Sequence, residues 1–453
     1  MTKIRSLRFA GSFFPADPDA LAAAVDQGLA ACPPLTGALP RAVISAHAGY
    51  AYSGRFTGMA LAAMPVRPEL VVVLSPSHRH AFAGVAYPSD AAFDTGLGLL
   101  PINRERLERL AAEGLAHEDD AAHDSEHGIE TQLPFLARRF PGVPIAPLVI
   151  GAVATETVAV ILDALAGPGV LVVLSSDLSH FLTDPEARTK DASTAALIER
   201  GEAGGLTGAH ACGARAVAGW LTAEAGQASR ALRLGMGNSG AVSGDLSRVV
   251  GYGAWAFYGL DDDILAAPYR ATLLRSARQA LEIRLRSGKP PAIAAASFAP
   301  ALQGLGASFV TLTQAGRLRG CIGSLLAHRP LMEDVIENAQ KAGLSDPRFA
   351  PVTAADLPGL QIKIAVLTRA APLTFGSEAE ALAAITPGRD GLIFSSRGQR
   401  GTFLPMVWDA LPDPGEFLRA LKRKAGFAPD YWAEDVQISR YRAESFREEK
   451  GAF

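Results

Sequence analysis

The sequence predicts an α/β protein, with a mostly parallel sheet flanked by helices and a second, smaller α+β domain behind it. Three observations carry that expectation: four continuous Val/Ile/Leu runs separated by helical stretches, the crowding of histidine into the first half, and a change of pattern near residue 261. Strands that read as unbroken apolar runs are buried on both faces, the condition of a parallel sheet covered by helices. At 453 residues the chain is too long for one ordinary core, so two or three domains are expected.

In order, the runs are RAVISA (41–46), ELVVVLS (69–75), PIAPLVIG (144–151) and GVLVVLSS (169–176), with helical stretches such as TVAVILDALAG between them. GYGAWAFYGL reads as a last strand ending near residue 260. The acidic DDD that follows opens ILAAPYRATLLRSARQALEIRLRSG, with apolar residues at helical spacing. The boundary is therefore expected at 260/261, dividing the chain into 1–260 and 261–453. Beyond the long helix, SFVTLTQAG, RLRGCIGSL, LQIKIAVLT and GLIFSS read as strands interleaved with two helices, a compact α+β unit.

A composition of 49% hydrophobic and 20% charged residues is that of a globular protein, and a formal charge of −3 gives no field that would hold nucleic acid. The run KRK (422–424) lies in a predicted helix and reads as a solvated face. Cys32, Cys212 and Cys321 are scattered and odd in number, which fits free thiols in a reducing compartment. The N-terminal apolar stretch is broken by Arg8, and no run of about eighteen apolar residues occurs. Neither a signal peptide nor a membrane span is expected, and the expected location is the cytoplasm.

Eight of the nine histidines precede residue 211, so histidine chemistry belongs to the first domain. RAVISA leads into His47, ELVVVLS into His78, and GVLVVLSS into Asp177 with His180 three residues later. Open α/β sheets place ligand sites beyond the carboxyl ends of their strands, so these ends are expected to face one crevice. One histidine after a strand is more often a satisfied structural group. Three such ends favour a metal site, because neutral imidazoles suit zinc, iron, copper and nickel while a nearby carboxylate completes or orients the set. Gly49 and Gly54 permit close backbone approach around His47, and Pro76 stiffens the loop carrying His78. His80 would point to the opposite side of an extended segment and stays outside the set.

His123 and His127 would share a face if HDSEHGIETQLPFL is one helix, although the glutamate of H-E-x-x-H is missing. Glu126, His127 and Glu130 are candidates for the pocket rim, with Glu126 and His127 assigned to substrate contact. A Ser/His/Asp hydrolase is not expected. Ala241 replaces the last glycine of G-x-S-x-G in GNSGA (237–241), and Ser239 follows Asp177 and His180, the reverse of that class's order.

Seven segments occur in the order of one family: AGSFFP (10–15), HAGYAYSG (47–54), LSPSH (74–78), EHGIE (126–130), SSDLSH (175–180), ACG (211–213) and NSGAVSGDLSRVVGY (238–252). Residues 4–260 on this ground resemble the Memo family, whose fold is similar to that of the LigB-like class III extradiol dioxygenases. The resemblance implies a metal held by His47, His78 and Cys212, with Asp177 and His180 beside it. A dioxygenase of the related type holds Fe(II) through two histidines and a carboxylate. The softer thiolate of Cys212 brings copper and zinc into competition, and its place before a predicted helix is expected to lower its pKa. Gly128 stands where serine is common in that family, and His210 precedes ACG as a further potential ligand.

The second domain resembles the AMMECR1 family over about residues 263–450, through FVTLTQAGRLRGCIGSL (309–325), SDPRF (345–349), GTFLPMVW (401–408), FLRALKRKAGF (417–427) and YRAESFREE (441–449). Glycines on both sides of Cys321 allow close approach. Arg319, Cys321, Asp346 and Arg348 are candidates to line a cleft for a small anion, with Arg319 and Cys321 assigned to substrate contact. The alternative is that Cys321 packs in the core while Asp346 and Arg348 fix a loop. Homologues of the two families are often encoded beside a radical S-adenosylmethionine protein, so the resemblance implies such a partner and shared or successive chemistry on one substrate.

Together these readings lead to a metal-dependent oxidoreductase, of the non-haem Fe(II) dioxygenase type, acting on a small phenolic or hydroxylated compound. His180, oriented by Asp177, is expected to move protons. Two further classes remain: a non-catalytic metal- or phosphopeptide-binding protein on the same fold, and a zinc-dependent hydrolase.

Overall fold

The computed structural model describes residues 3–291 and 297–449, and the chain divides into two compact units. The first comprises the residues up to Ala266 together with Ala299–Gly304; the second comprises Ala267–Phe298 and the residues from Leu305 onward.

In the middle of the first unit four parallel strands lie in the order Ala42–Ser45, Val170–Ser175, Leu70–Pro76, Ile145–Ile150. They are the four apolar runs of the sequence. Val71, Val72, Val73, Val172 and Val173 are wholly buried, each contributing roughly 1.5–3 kcal/mol of burial free energy. The flanks of this nine-stranded sheet are mixed. Val249–Gly259 runs antiparallel to Ala42–Ser45 and pairs in turn with Ser229–Asn238 and His180–Leu182, while Val85–Tyr87 is antiparallel to Ile145–Ile150.

Helix Pro18–Ala30 starts where the Asp17 side chain accepts the Ala20 N–H, with proline in its first turn. It packs against helix Tyr50–Ala62 at a pair of glycines: a Cβ on Gly58 would lie 2.0 Å from the Gly28 carbonyl oxygen, so only glycine allows the two backbones to meet.

The N-terminal segment is tied down by charge. Strand Ile4–Ser6 pairs with Ala92–Asp94, Lys3 reaches Asp90 and Asp120, and Arg5 reaches Asp90 and Asp124. The buried Glu130 carboxylate then accepts the N–H groups of Arg8 and Phe9 at 2.6 and 3.1 Å. Glu130 is therefore an anchor for this segment, not part of a pocket rim.

The second unit is an α+β arrangement of two antiparallel sheets. One has the order Arg317–Gly323, Leu305–Gln314, Leu360–Leu367, Ala443–Arg447, with Arg329–Pro330 paired to Leu305–Gln314; the other has the order Ala371–Pro372, Gln437–Tyr441, Gly391–Ser396, Gln399–Phe403. Helices Ala267–Ser287 and Leu331–Leu344 pack together in this unit, and Phe417, Leu418 and Leu421 of helix Pro414–Lys424 enter the core of the second sheet. Among the described residues no helix is long and apolar enough to cross a membrane.

Candidate metal centre

His47 and His78 leave the carboxyl ends of Ala42–Ser45 and Leu70–Pro76, and the strand between those two, Val170–Ser175, leads into Ser176 and Asp177. His127 opens the short helix His127–Glu130, whose cap is Glu126. One donor atom from each of His47, His78 and His127 lies within 4.8 Å of the others. The Cys212 Sγ is 3.1 Å from His47 Nε2 and accepts the Asp177 N–H at 3.2 Å.

The surrounding hydrogen bonds assign the imidazole tautomers. Ser175 Oγ gives its only proton to the Gly128 carbonyl at 2.7 Å and accepts from Gln132 Nε2 at 3.2 Å, so it must also accept from His47 Nδ1 at 2.8 Å. The His47 Nε2 lone pair is thereby left facing Cys212. The Glu126 carboxylate accepts from His78 Nδ1 at 2.9 Å and from the His78 N–H at 2.8 Å, leaving His78 Nε2 as the lone-pair atom. A histidine whose second nitrogen is held by a carboxylate or hydroxyl is the usual state of a metal-ligating imidazole. His127 adds a different signal: its Nδ1 is buried and has no hydrogen-bond partner among the described residues.

Burial, reinforced by the His78 imidazole, pushes His47 down to about 3. Burial and the neighbouring His47 and His78 do the same to His127, also to about 3, so both rings are neutral at pH 7 and have lone pairs to donate. For Glu126 burial is the largest influence and acts upward, but the His78 ring and the amides of His78 and Gly128 outweigh it and hold the carboxyl at about 2. Asp177 is raised by burial to about 6, partly offset by the His47 N–H that it accepts at 2.9 Å.

Several expectations change. Cys212 lies beside the histidines, but its thiol is pushed up to about 12 by burial and by Asp177, the opposite of the lowering expected from a helix start. Glu126 is buried and spent on His78, Ser75 and Gly128, so it orients the His78 ring instead of meeting substrate. His127 joins the donor group in place of the rim. His123 does not share its helix: Asp120–Asp124 and His127–Glu130 are separate, and His123 is buried against the Ala86 carbonyl. His180 is exposed on its short strand, and Asp177 accepts the His47 backbone N–H; among the described residues no hydrogen bond joins Asp177 to the His180 ring. His80 pairs with Asp119 and His210 with Thr207, both away from the donor group.

Phe9 and Phe13 were not legible as site residues, yet Phe13 stacks on His127 with centroids 4.4 Å apart and Phe9 meets the same ring edge-on. They wall the His127 side. The signal that could have found His127 is Gly128 immediately after it, a helix-weakening residue that argues against one continuous helix through HDSEHGIE.

In the second unit the Arg319 guanidinium is committed to the carbonyls of Ala350 and Pro351 and to Asp356. Asp346 accepts the Cys321 N–H at 2.8 Å and is clamped by Arg348, which also reaches the Cys321 carbonyl. These contacts fix the loop after Leu331–Leu344 against strand Arg317–Gly323, so Arg319 is not free to take an anion. The half-buried Cys321 thiol lies 3.2 Å from Thr311 Oγ1.

A mixed α/β domain with three imidazoles gathered at its strand ends, joined to an antiparallel α+β domain, defines the class of this protein. Comparison with known proteins then supplies the family. The Memo-like protein family model matches residues 5–256, more than half of the chain, and the AMMECR1 model matches residues 274–446. The chain therefore belongs to the Memo family and carries an AMMECR1 domain in its second half. A MEMO1 family protein of Aquifex aeolicus is 32% identical over 262 residues, 55% of this chain and 97% of its own length. One from Methanosarcina barkeri is 32% identical over 268 residues, again 55% of this chain and 98% of its own. A Methanothermobacter thermautotrophicus protein is 37% identical over 184 residues, 39% of this chain and 93% of its own. The crystal structure of an uncharacterized protein from Pyrococcus horikoshii is 35% identical, covering 39% of this chain and 90% of that one at a TM-score of 0.38.

Proposed function

We propose that the first unit is a metal-dependent oxidoreductase of the non-haem iron dioxygenase kind, acting on a small phenolic or related hydroxylated compound. The observation that supports it is the donor group: three imidazoles with donor atoms within 4.8 Å of one another, one of them with a buried nitrogen that has no hydrogen-bond partner among the described residues. These residues fit a metal, since the hydrogen bonds to Ser175 and Glu126 leave Nε2 of His47 and of His78 as the lone-pair atoms, the former against the Cys212 thiol, and the His47 and His127 rings are neutral at pH 7. His47, His78 and His127 would hold it, with Cys212 adjoining. Bound there, iron(II) would supply Lewis acidity toward a substrate hydroxyl and a one-electron couple for dioxygen; copper and zinc share the donor preference.

The chain's own residues do the rest. Glu126 and Ser175 hold the rings in one tautomer, and Asp177 fixes the His47 backbone. Phe9 and Phe13 exclude water from the His127 side. His180, exposed on its strand three residues beyond Asp177, exchanges the proton of the substrate hydroxyl as general acid and base. The fusion associates the AMMECR1 domain with the same substrate or its product, and a radical S-adenosylmethionine protein with the same pathway.

Elemental analysis of chelator-free protein, followed by oxygen uptake with a panel of catechol-type substrates, tests the reading. Iron near one equivalent, uptake with at least one substrate, and loss of about 10²–10⁴-fold of that rate in His180→Ala at unchanged iron content are expected. Fully iron-loaded protein that consumes no oxygen with any substrate would remove the dioxygenase reading. Zinc at full occupancy, with hydrolytic activity that iron exchange does not improve, would replace it with a hydrolase.

A further inference from the structure

Strand His180–Leu182 loses its register with Val249–Gly259 between His180 and Leu182, and the residue inserted there is Phe181. Its φ of 61° lies in the left-handed region, which a bulky side chain adopts only where the surroundings impose it. Bulges of this kind re-aim side chains beside active sites. The Phe181 ring is 59% exposed, with the His180 ring edge-on at 5.8 Å and the Arg248 guanidinium 4.4 Å from its centroid. Backbone strain is thus spent on holding an aromatic ring out into solvent, next to the histidine that adjoins the metal centre.

Arg248 is exposed and, among the described residues, has no carboxylate partner. The acids of the adjoining segments are engaged elsewhere: Asp245 accepts from Ser247, and Asp184 from Arg188 and Asn238. A guanidinium laid on an aromatic face keeps its N–H edge free, and its stacking removes in advance part of the entropy lost on pairing with a carboxylate. Val242 and Leu246, both more than half exposed on the Arg248 loop, add apolar surface beside it.

We propose that Phe181 and Arg248 form an anion-recognition arm of this site, for a ligand that combines a carboxylate with an apolar stem. Arg248 pairs with the carboxylate and Phe181 packs against the stem. Only the placement of the ligand's other end rests on the metal-centre reading.

The test is calorimetric titration of the full chain with phenylacetate and with phenylacetamide, which has nearly the same shape without the charge. Elemental analysis accompanies each sample. Wild type should favour phenylacetate by about tenfold or more, the increment of a charge-assisted pair. Arg248→Gln should abolish that preference, Phe181→Ala should weaken both probes, and metal content should stay unchanged in both variants. A wild type that does not discriminate, or an Arg248→Gln variant that keeps the full preference, overturns the arm. Phenylacetate preference in protein that takes up no metal would sink the metal-centre reading and leave the arm standing.

Discussion

His47, His78 and Cys212 are separated by long stretches of chain, and what each offers a metal is decided by its immediate partners. The two histidines are fixed with a lone pair outward by Ser175 and Glu126, whereas Cys212 holds its proton because burial and Asp177 disfavour a thiolate. A metal that recruits this thiol must displace that proton. Calorimetric titration at pH 7 in two buffers of different ionisation enthalpy should show about one more proton released per ion in wild type than in Cys212→Ala, because the variant lacks the thiol proton. Equal release in both proteins would strike Cys212 from the donor set. Gly128 is the second residue to test: a Cβ there would lie 2.2 Å from Ser75 Oγ and 3.1 Å from His47 Nδ1. Gly128→Ala must push on groups that orient His47 and His78, so metal affinity should fall by about 10–100-fold. An unchanged dissociation constant by competition with a chelator would show that the pocket yields freely.

Among the elements, the four parallel strands could be read in advance because burial on both faces leaves an unmistakable apolar run. Their carboxyl ends carried His47, His78 and Asp177 into view with them. The antiparallel flanks could not be read so well: Ser229–Asn238 shows no regular alternation of burial and contains two glycines, and nothing local marks the bulge at Phe181. That bulge makes its own prediction. A left-handed non-glycine residue costs roughly 1–2 kcal/mol, and glycine avoids this cost while giving back part of it as unfolded-state entropy. Phe181→Gly should therefore be more stable than Phe181→Ala by about 1 kcal/mol in denaturant unfolding, although both lose the ring. Equal stability would mean that the backbone relaxes out of the left-handed region once the ring is gone.

For the whole molecule the buried histidines set the response to acid. His47 and His127 at about 3 and His123 at about 4 all lie below the ordinary 6.5, in each case chiefly through burial. The unfolded chain takes up these protons below about pH 6.5 and the folded chain does not, so stability is lost as pH falls. At pH 5 His47 alone should cost on the order of 2 kcal/mol. Asp177 acts in the other direction: raised to about 6, it destabilises the fold when ionised, and its protonation recovers about 1 kcal/mol on the way to pH 5. Three histidines outweigh one carboxyl. Chelator-treated protein should show a urea midpoint for the first unit that falls steadily from pH 7 to pH 5, and a flat or rising midpoint would contradict the buried neutral state of these rings.

The sequence by itself determined the two families, the strand-and-helix alternation of the first half, and the chain positions at which imidazoles leave a parallel sheet. All of these are carried by local patterns of side chains. Only the tertiary structure decided what those groups do, because partners remote in sequence set hydrogen bonding and desolvation. Glu126 became an orienter of His78, Glu130 an anchor for Arg8 and Phe9, His127 a donor walled by Phe13, and Arg319 a brace for Ala350 and Pro351. The charge that a buried group carries, and the direction in which its lone pair points, depend on how closely the rest of the chain is packed around it.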